Sequence, residues 1–194
     1  MLLLVPVAVI VVPIFTHQSG GQSNQQQTDA QWPLSVTATG DDGRTRTLSV
    51  AGENGEPVET SGLVREQRVV VSGTGYDGSQ GVYVAVCVIP ATAAEKPGPC
   101  IGGVPSQQQD NVAAGTVQWA PSNWINAVWA WRLFGARSYN DTAAGTFTAY
   151  LELGDPLGEN ADCMTNACGI YTRNDHTAIN DRVQDVYIPV QFTE

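Results

Sequence analysis

Residues Gly81 to Pro90 read GVYVAVCVIP, a near-continuous apolar run preceded by Tyr76-Asp77-Gly78-Ser79 and closed by Pro90. Its length, its four valines and its turn-forming flanks favour a strand covered on both faces over a buried helical turn. Side chains alternate along a strand, so Val82, Val84, Val86 and Val88 point one way and Tyr83, Ala85 and Cys87 the other. A strand apolar on both faces belongs at the centre of a layered β-structure.

The neighbouring segments supply the layers. Trp32, Leu34, Val36 and Ala38 alternate with polar residues up to the turn Gly40-Asp41-Asp42-Gly43. Thr45 to Ala51 alternates again and ends at Glu53-Asn54-Gly55, a hairpin signal, so 32–59 reads as an N-terminal meander. Arg68 to Val71 leads as a strand into Gly73-Thr74-Gly75-Tyr76-Asp77-Gly78, which formally matches G-x-G-x-x-G. A strand and not a helix follows, so no helix N-terminus is there to receive a pyrophosphate, and the glycines are turn residues. Ala113 to Trp119, Thr146 to Leu153, Ala167 to Thr172 and Asp185 to Phe192 read as further strands, with Pro189 in the last suiting an edge or a bulge. About seven to nine short strands with regular turns predict an all-β antiparallel sandwich over 60–194.

One stretch stays open. Trp124 to Phe134 reads WINAVWAWRLF. As a helix capped by Ser122 it places Trp124, Ile125, Val128 and Trp129 on one face; as a strand it places Trp129, Trp131 and Leu133 together.

The totals bound the function. The chain has 194 residues, 20 glycines, 11 prolines, only 9 Lys plus Arg, and a net charge of −10. That sign repels phosphate backbones, which excludes direct nucleic-acid binding, and gives no attraction to anionic lipid heads. The four cysteines fall as Cys87 with Cys100 and Cys163 with Cys168, without metal-finger spacing and with only two histidines in the chain. Beside an apolar leader, they read as two local disulfides made in an oxidising compartment, against free buried thiols as the alternative.

Met1 to Phe15, MLLLVPVAVIVVPIF, carries no charge. As a helix it would span about 22 Å against the roughly 30 Å hydrocarbon core. With no basic residue before the run and no clear A-x-A site after it, it is expected to stay as a single-pass anchor of the cell membrane, with the folded domain on the extracytoplasmic side; a cleaved signal is the rival. The Gln, Ser and Gly tract from Thr16 to Asp29 reads as part of a flexible linker over 16–31, with a reach of roughly 20 Å and His17 in solvent.

In order along the chain, Ser61-Gly62-Leu63, Val69-Val70-Val71 with Gly73 and Gly75, Tyr83 and Cys87 with Cys100, Asp162-Cys163-Met164-Thr165 with Ala167-Cys168, and the strand Ile188 to Phe192 resemble the neocarzinostatin-like apoproteins. The five-residue offset within D-C-x-T-x-A-C is the most specific element. The resemblance covers about Thr60 to Phe192, interrupted by a Trp-rich insert at 107–139. It implies a secreted immunoglobulin-like β-sandwich with two local disulfides, no catalytic residues, and a cleft for an apolar chromophore pinned by Cys87, Cys100, Cys163 and Cys168. Ile89 stands where ligand-holding members place an aromatic residue.

Trp119, Trp124, Trp129 and Trp131, with Phe134, form an unusual aromatic concentration. Together with Ile89 they are the candidate patch for a partner or ligand, the bland reading being core. Arg173-Asn174-Asp175-His176 with Asp181, Arg182 and Asp185 is read as surface ion pairs at a hairpin end, since no G-x-S-x-G elbow supplies a nucleophile. Asp155, Glu159 and Asp162 offer oxygen ligands for calcium without a recognised loop pattern. The expectation is a non-catalytic, anchored binding domain without a cofactor, an accessory or scaffold subunit docking on a protein partner or membrane complex of the cell envelope, such as a respiratory complex. The alternatives are a carrier of an apolar small molecule and a surface hydrolase using His176.

Overall fold

The computed structural model describes residues 16–26, 31–103, 117–158 and 161–193. Two four-stranded antiparallel sheets face each other. The first has the order β1 (Ser35–Thr39), β2 (Thr45–Gly52), β3 (Arg68–Thr74) and β6 (Phe147–Glu152). The second has the order β10 (Val186–Val190), β9 (Cys168–Asn174), β4 (Val82–Val88) and β5 (Ser122–Ile125). Between β5 and β6 lies a one-turn helix, α1 (Trp129–Arg132), and β7 (Leu157–Gly158) with β8 (Ala161–Asp162) makes a small ribbon before β9. The segment 32–59 supplies β1 and β2, which pair in sequence at the edge of the first sheet and make up half of it.

The core follows from the period-2 patterns. Leu48 and Val50 of β2, Val69 and Val71 of β3 and Phe147, Ala149 and Leu151 of β6 meet Val82, Val84 and Val86 of β4, Ile170 of β9 and Ile188 of β10 in one buried cluster. The outer face of the first sheet is wet and carries a hydroxyl ladder, with Ser35–Ser49, Thr37–Thr47 and Thr39–Thr45 bonded at 2.8, 3.1 and 2.9 Å. The outer face of the second sheet is covered. There Tyr83, Ala85 and Cys87 of β4 and Tyr171 of β9 lie beneath the loop after β4 and the segment around α1. That cover explains why β4 is apolar on both sides.

The disulfides are Cys87–Cys100 and Cys163–Cys168. β10 is an edge strand, so of the two settings that suit Pro189 the chain uses the edge. Gly75, at φ 77, turns the chain out of β3 where a Cβ would stand 2.0 Å from the Thr45 carbonyl oxygen.

Several expectations change. The Glu53-Asn54-Gly55 turn forms, with Gly52 N–H bonded to the Glu56 carbonyl, but the strand that pairs with β2 begins only at Arg68. Within 113–119, residues 117–119 form no strand and the others lie outside the described residues. Neither reading of 124–134 holds alone. Ser122 is a β5 residue and not a cap, and Asn126 then breaks the strand by accepting the Val128 amide at 2.9 Å, which starts α1. Among the described residues no helix is long and apolar enough to cross a membrane; Met1 to Phe15 lies outside them.

The tract 16–26 is not a free tether. His17 Nε2 and the Gly20 amide bond Asp181 Oδ2 at 2.7 and 2.9 Å. The Gln25 side chain bonds both the Tyr187 carbonyl and the Tyr187 amide, each at 2.7 Å. The tract buries little grease, yet it satisfies the open backbone of edge strand β10 and a buried carboxylate.

Candidate functional site

Two concavities flank the covered face of the second sheet. The first is a cleft of about 280 Å³ beside the Cys87–Cys100 disulfide. Its apolar wall is Ile89, Pro90, Ala91 and Pro97 from the loop after β4, facing Tyr171 and Tyr187. These two tyrosines occupy opposite positions on β9 and β10 and stack with centroids 4.7 Å apart. Ser23 and Gln25 of the N-terminal tract close one side.

Asp185 supplies the polar end of this cleft. Arg182 donates to its Oδ2 at 2.8 Å, whereas Oδ1 is buried without a hydrogen-bond partner. Burial, working against the pull of Arg182 and Arg173 and a backbone hydrogen bond from Asn174, pushes the carboxyl up to about 7. The Nε of Arg173 is likewise buried without a partner, while its NH1 donates to the Pro97 carbonyl at 3.2 Å. The cleft therefore offers an apolar slot with one carboxyl at its polar end.

The second concavity, about 470 Å³, lies between 16–20 and the start of α1 and is lined by Asp42, Asp77, Asn126, Val128, Trp131 and Asp181 among others. Its acids are already engaged. Arg46 donates twice to Asp42, at 3.0 and 2.6 Å. Asp77 Oδ1 accepts from the Ser79 amide and hydroxyl, and Asp181 Oδ1 accepts from the Val183 amide.

His176 packs against Trp131 of α1. Its Nδ1 and the Tyr83 hydroxyl share a hydrogen bond of 2.9 Å, and its ring meets Trp131 and Trp124 edge-on at 4.8 and 5.2 Å. Burial pushes the Tyr83 hydroxyl up to about 12. A hydrolase needs an acid and a nucleophile within reach of the imidazole. Asp175 instead turns its carboxylate to Trp124, Asn126 and Thr177, so His176 packs as an aromatic spacer.

The candidate tryptophans separate. Trp124 is buried under α1, Trp131 is half-buried against it, and Trp129 and Phe134 stand exposed. Trp119 packs elsewhere, edge-on to Tyr150 of the first sheet and beneath the Arg68 guanidinium. The four tryptophans and Phe134 are thus not one patch, and Ile89 belongs to the cleft instead. The charged loop after β9 is not a set of surface ion pairs either: Asp175, Asp181, Arg182 and Asp185 are all buried. No grouping of His, Cys, Asp or Glu suited to a metal occurs among the described residues. Asp162 spends its carboxylate on Met164 and Thr165, Asp155 pairs with Arg65, and Glu159 lies outside the described residues.

Asp185, the tyrosine stack, and His17 with Asp181 were not legible as sites. A buried carboxylate in a polar loop has no periodicity to betray it. The usable signal is the density of charge in 173–185, which by itself reads equally as solvated surface.

No protein-family model matches this chain, and no curated protein matches it. Among solved structures it is similar to macromomycin, at 18% identity over 75% of this chain and 99% of that one, with a TM-score of 0.39. A likeness at that level says nothing of what this chain binds.

Proposed function

We propose that the protein is an extracytoplasmic binding protein that carries a compact apolar molecule in the cleft beside Cys87–Cys100. The observation that carries this reading is the apolar slot itself, walled by Ile89, Pro90, Ala91 and Pro97 against the stacked Tyr171 and Tyr187, with Asp185 at its polar end. Stacked aromatic rings facing aliphatic side chains favour a flat apolar occupant, and the polar end at Asp185 favours one that carries a single hydrogen-bonding group. At about 280 Å³ the cleft sits just under the roughly 300–1,000 Å³ of drug-sized pockets, which restricts the occupant to about two fused rings. The larger concavity is less suited because its carboxylates are already satisfied by the chain itself. Two disulfides support an oxidising compartment.

The test uses 2-naphthol, an apolar bicycle with one donor, titrated by fluorescence and by native mass spectrometry. The wild type is expected to bind one equivalent, and Ile89→Arg, which fills the slot from its half-buried wall, to lose at least tenfold with an unchanged circular dichroism spectrum. Equal binding by both proteins, or none by the wild type together with no co-purifying mass, would remove the carrier reading.

A further inference from the structure

Trp129 and Leu133 are 67% and 68% exposed and Phe134 is 42% exposed. These three large apolar side chains fall within six residues, with exposed Arg132 among them. The helix that carries them cannot roll to hide them. Its other side is fixed by Trp131, which packs on His176 and Trp124, and by the bond from Asn126 that starts the turn.

The place where the N-terminal tract meets the domain is the second observation. Thr16, His17 and Gln18 line the same concavity as Val128 and Trp131, and His17 is held there by Asp181. Thr16, the residue that follows the fifteen uncharged residues Met1 to Phe15, therefore lies beside α1. If that segment enters a bilayer, α1 is held within a few residues' reach of the lipid surface.

We propose that Trp129, Leu133 and Phe134 form a lipid-contacting surface seated in the headgroup layer of the membrane that Met1 to Phe15 enters. The residue types suit that depth. Indole rings settle at the headgroup level, Leu and Phe reach the acyl boundary, and the Arg132 stem lets its guanidinium stay in water. A net charge of −10 selects a zwitterionic surface over an anionic one. The proposal is independent of what the cleft holds.

The experiment reconstitutes the full chain into phosphatidylcholine vesicles, with and without lipid brominated near the headgroup, and reads tryptophan emission beside vesicle flotation. Wild type should float and be quenched. Trp129→Phe should float with less quenching, the lost part being up to about a fifth of the emission since Trp129 is one of 5 tryptophans. The triple variant Trp129→Ser, Leu133→Ser, Phe134→Ser should float, still bind 2-naphthol as wild type does, and lose that same component. Flotation with equal quenching of wild type and Trp129→Phe would overturn the proposal. So would shielding of Trp129 from aqueous iodide before lipid is added, which would mean that a second copy or Met1 to Phe15 covers it. Failure of the chain to float would remove both the insertion of Met1 to Phe15 and the proposal, while leaving the cleft reading to its own titration.

Discussion

The indole N–H of Trp124 donates to Oδ2 of Asp175 at 2.9 Å, joining the edge strand β5 to the loop after β9. Asn126 donates to the same oxygen at 2.8 Å, and the Thr177 amide and hydroxyl donate to Oδ1 at 2.9 and 2.5 Å. Four donors thus converge on one buried carboxylate, and they set where β5 stops, where α1 starts and how Trp131 meets His176. Backbone room for this comes from Gly81, where a Cβ would stand 1.8 Å from Asp175 Oδ2.

Asp175→Asn turns an amide toward donors that need an acceptor. It is expected to cost about 2–4 kcal/mol by urea unfolding, and Gly81→Ala a comparable amount by displacing the same carboxylate. In the double variant the two losses should not add, because both remove one network. Additive losses would mean that Gly81 matters for some other contact.

Arg46 projects from β2 on the same face as Leu48 and Val50 and is fully buried, its charge met by Asp42. Asp42→Ala leaves that cation unpaired in the core and should cost about 3–5 kcal/mol, whereas adding Arg46→Met should restore much of it. The midpoint of denaturant unfolding decides. A double variant no better than Asp42→Ala would assign the loss to the turn at 40–43 instead.

Asp185 titrates near 7 in the folded protein because burial disfavours its anion, well above an exposed aspartate near 3.8. Between about pH 4 and pH 7 the folded state therefore holds a proton that the unfolded state lacks, so this group's contribution to stability falls as pH rises and levels off above 7. Unfolding free energies of wild type minus Asp185→Asn, measured from pH 4 to 8, should decline through that window. A flat difference would show that Arg182 keeps the carboxylate ionised throughout.

On the chain-entropy account, alanine at Cys87 and Cys100 should cost about 3 kcal/mol and at Cys163 and Cys168 about 2 kcal/mol, following loop separations of 13 and 5 residues. Only the first pair carries the cleft wall, so it alone should weaken 2-naphthol binding. Equal loss of binding in both would detach the ligand from that cleft.

How far the residues spoke for themselves varies with the range of the interaction. Strands such as β4 and β6 were legible because alternation is a property of consecutive residues, and the double-sided apolar run of β4 announced a covered outer face before any cover was known. The glycine turn before β4 was readable for the same reason, and cysteine spacing with the apolar leader pointed to both disulfides. The competition between helix and strand over 122–134 was not readable, since Asn126 settles it by bonding an aspartate 49 residues away. Nor could His17 be placed, because its partner Asp181 lies 164 residues on.

Local pattern alone thus determined a β-rich chain with a doubly buried central strand, two stapled loops and an acidic surface unsuited to nucleic acid. Tertiary structure alone decided which carboxylates are buried, that the N-terminal tract walls the cleft, and that the tryptophans divide between core and surface. The physical reason is that burying an apolar face needs only its own periodicity, whereas a buried charge is tolerated only where distant donors converge on it, and no spacing in the chain records that convergence.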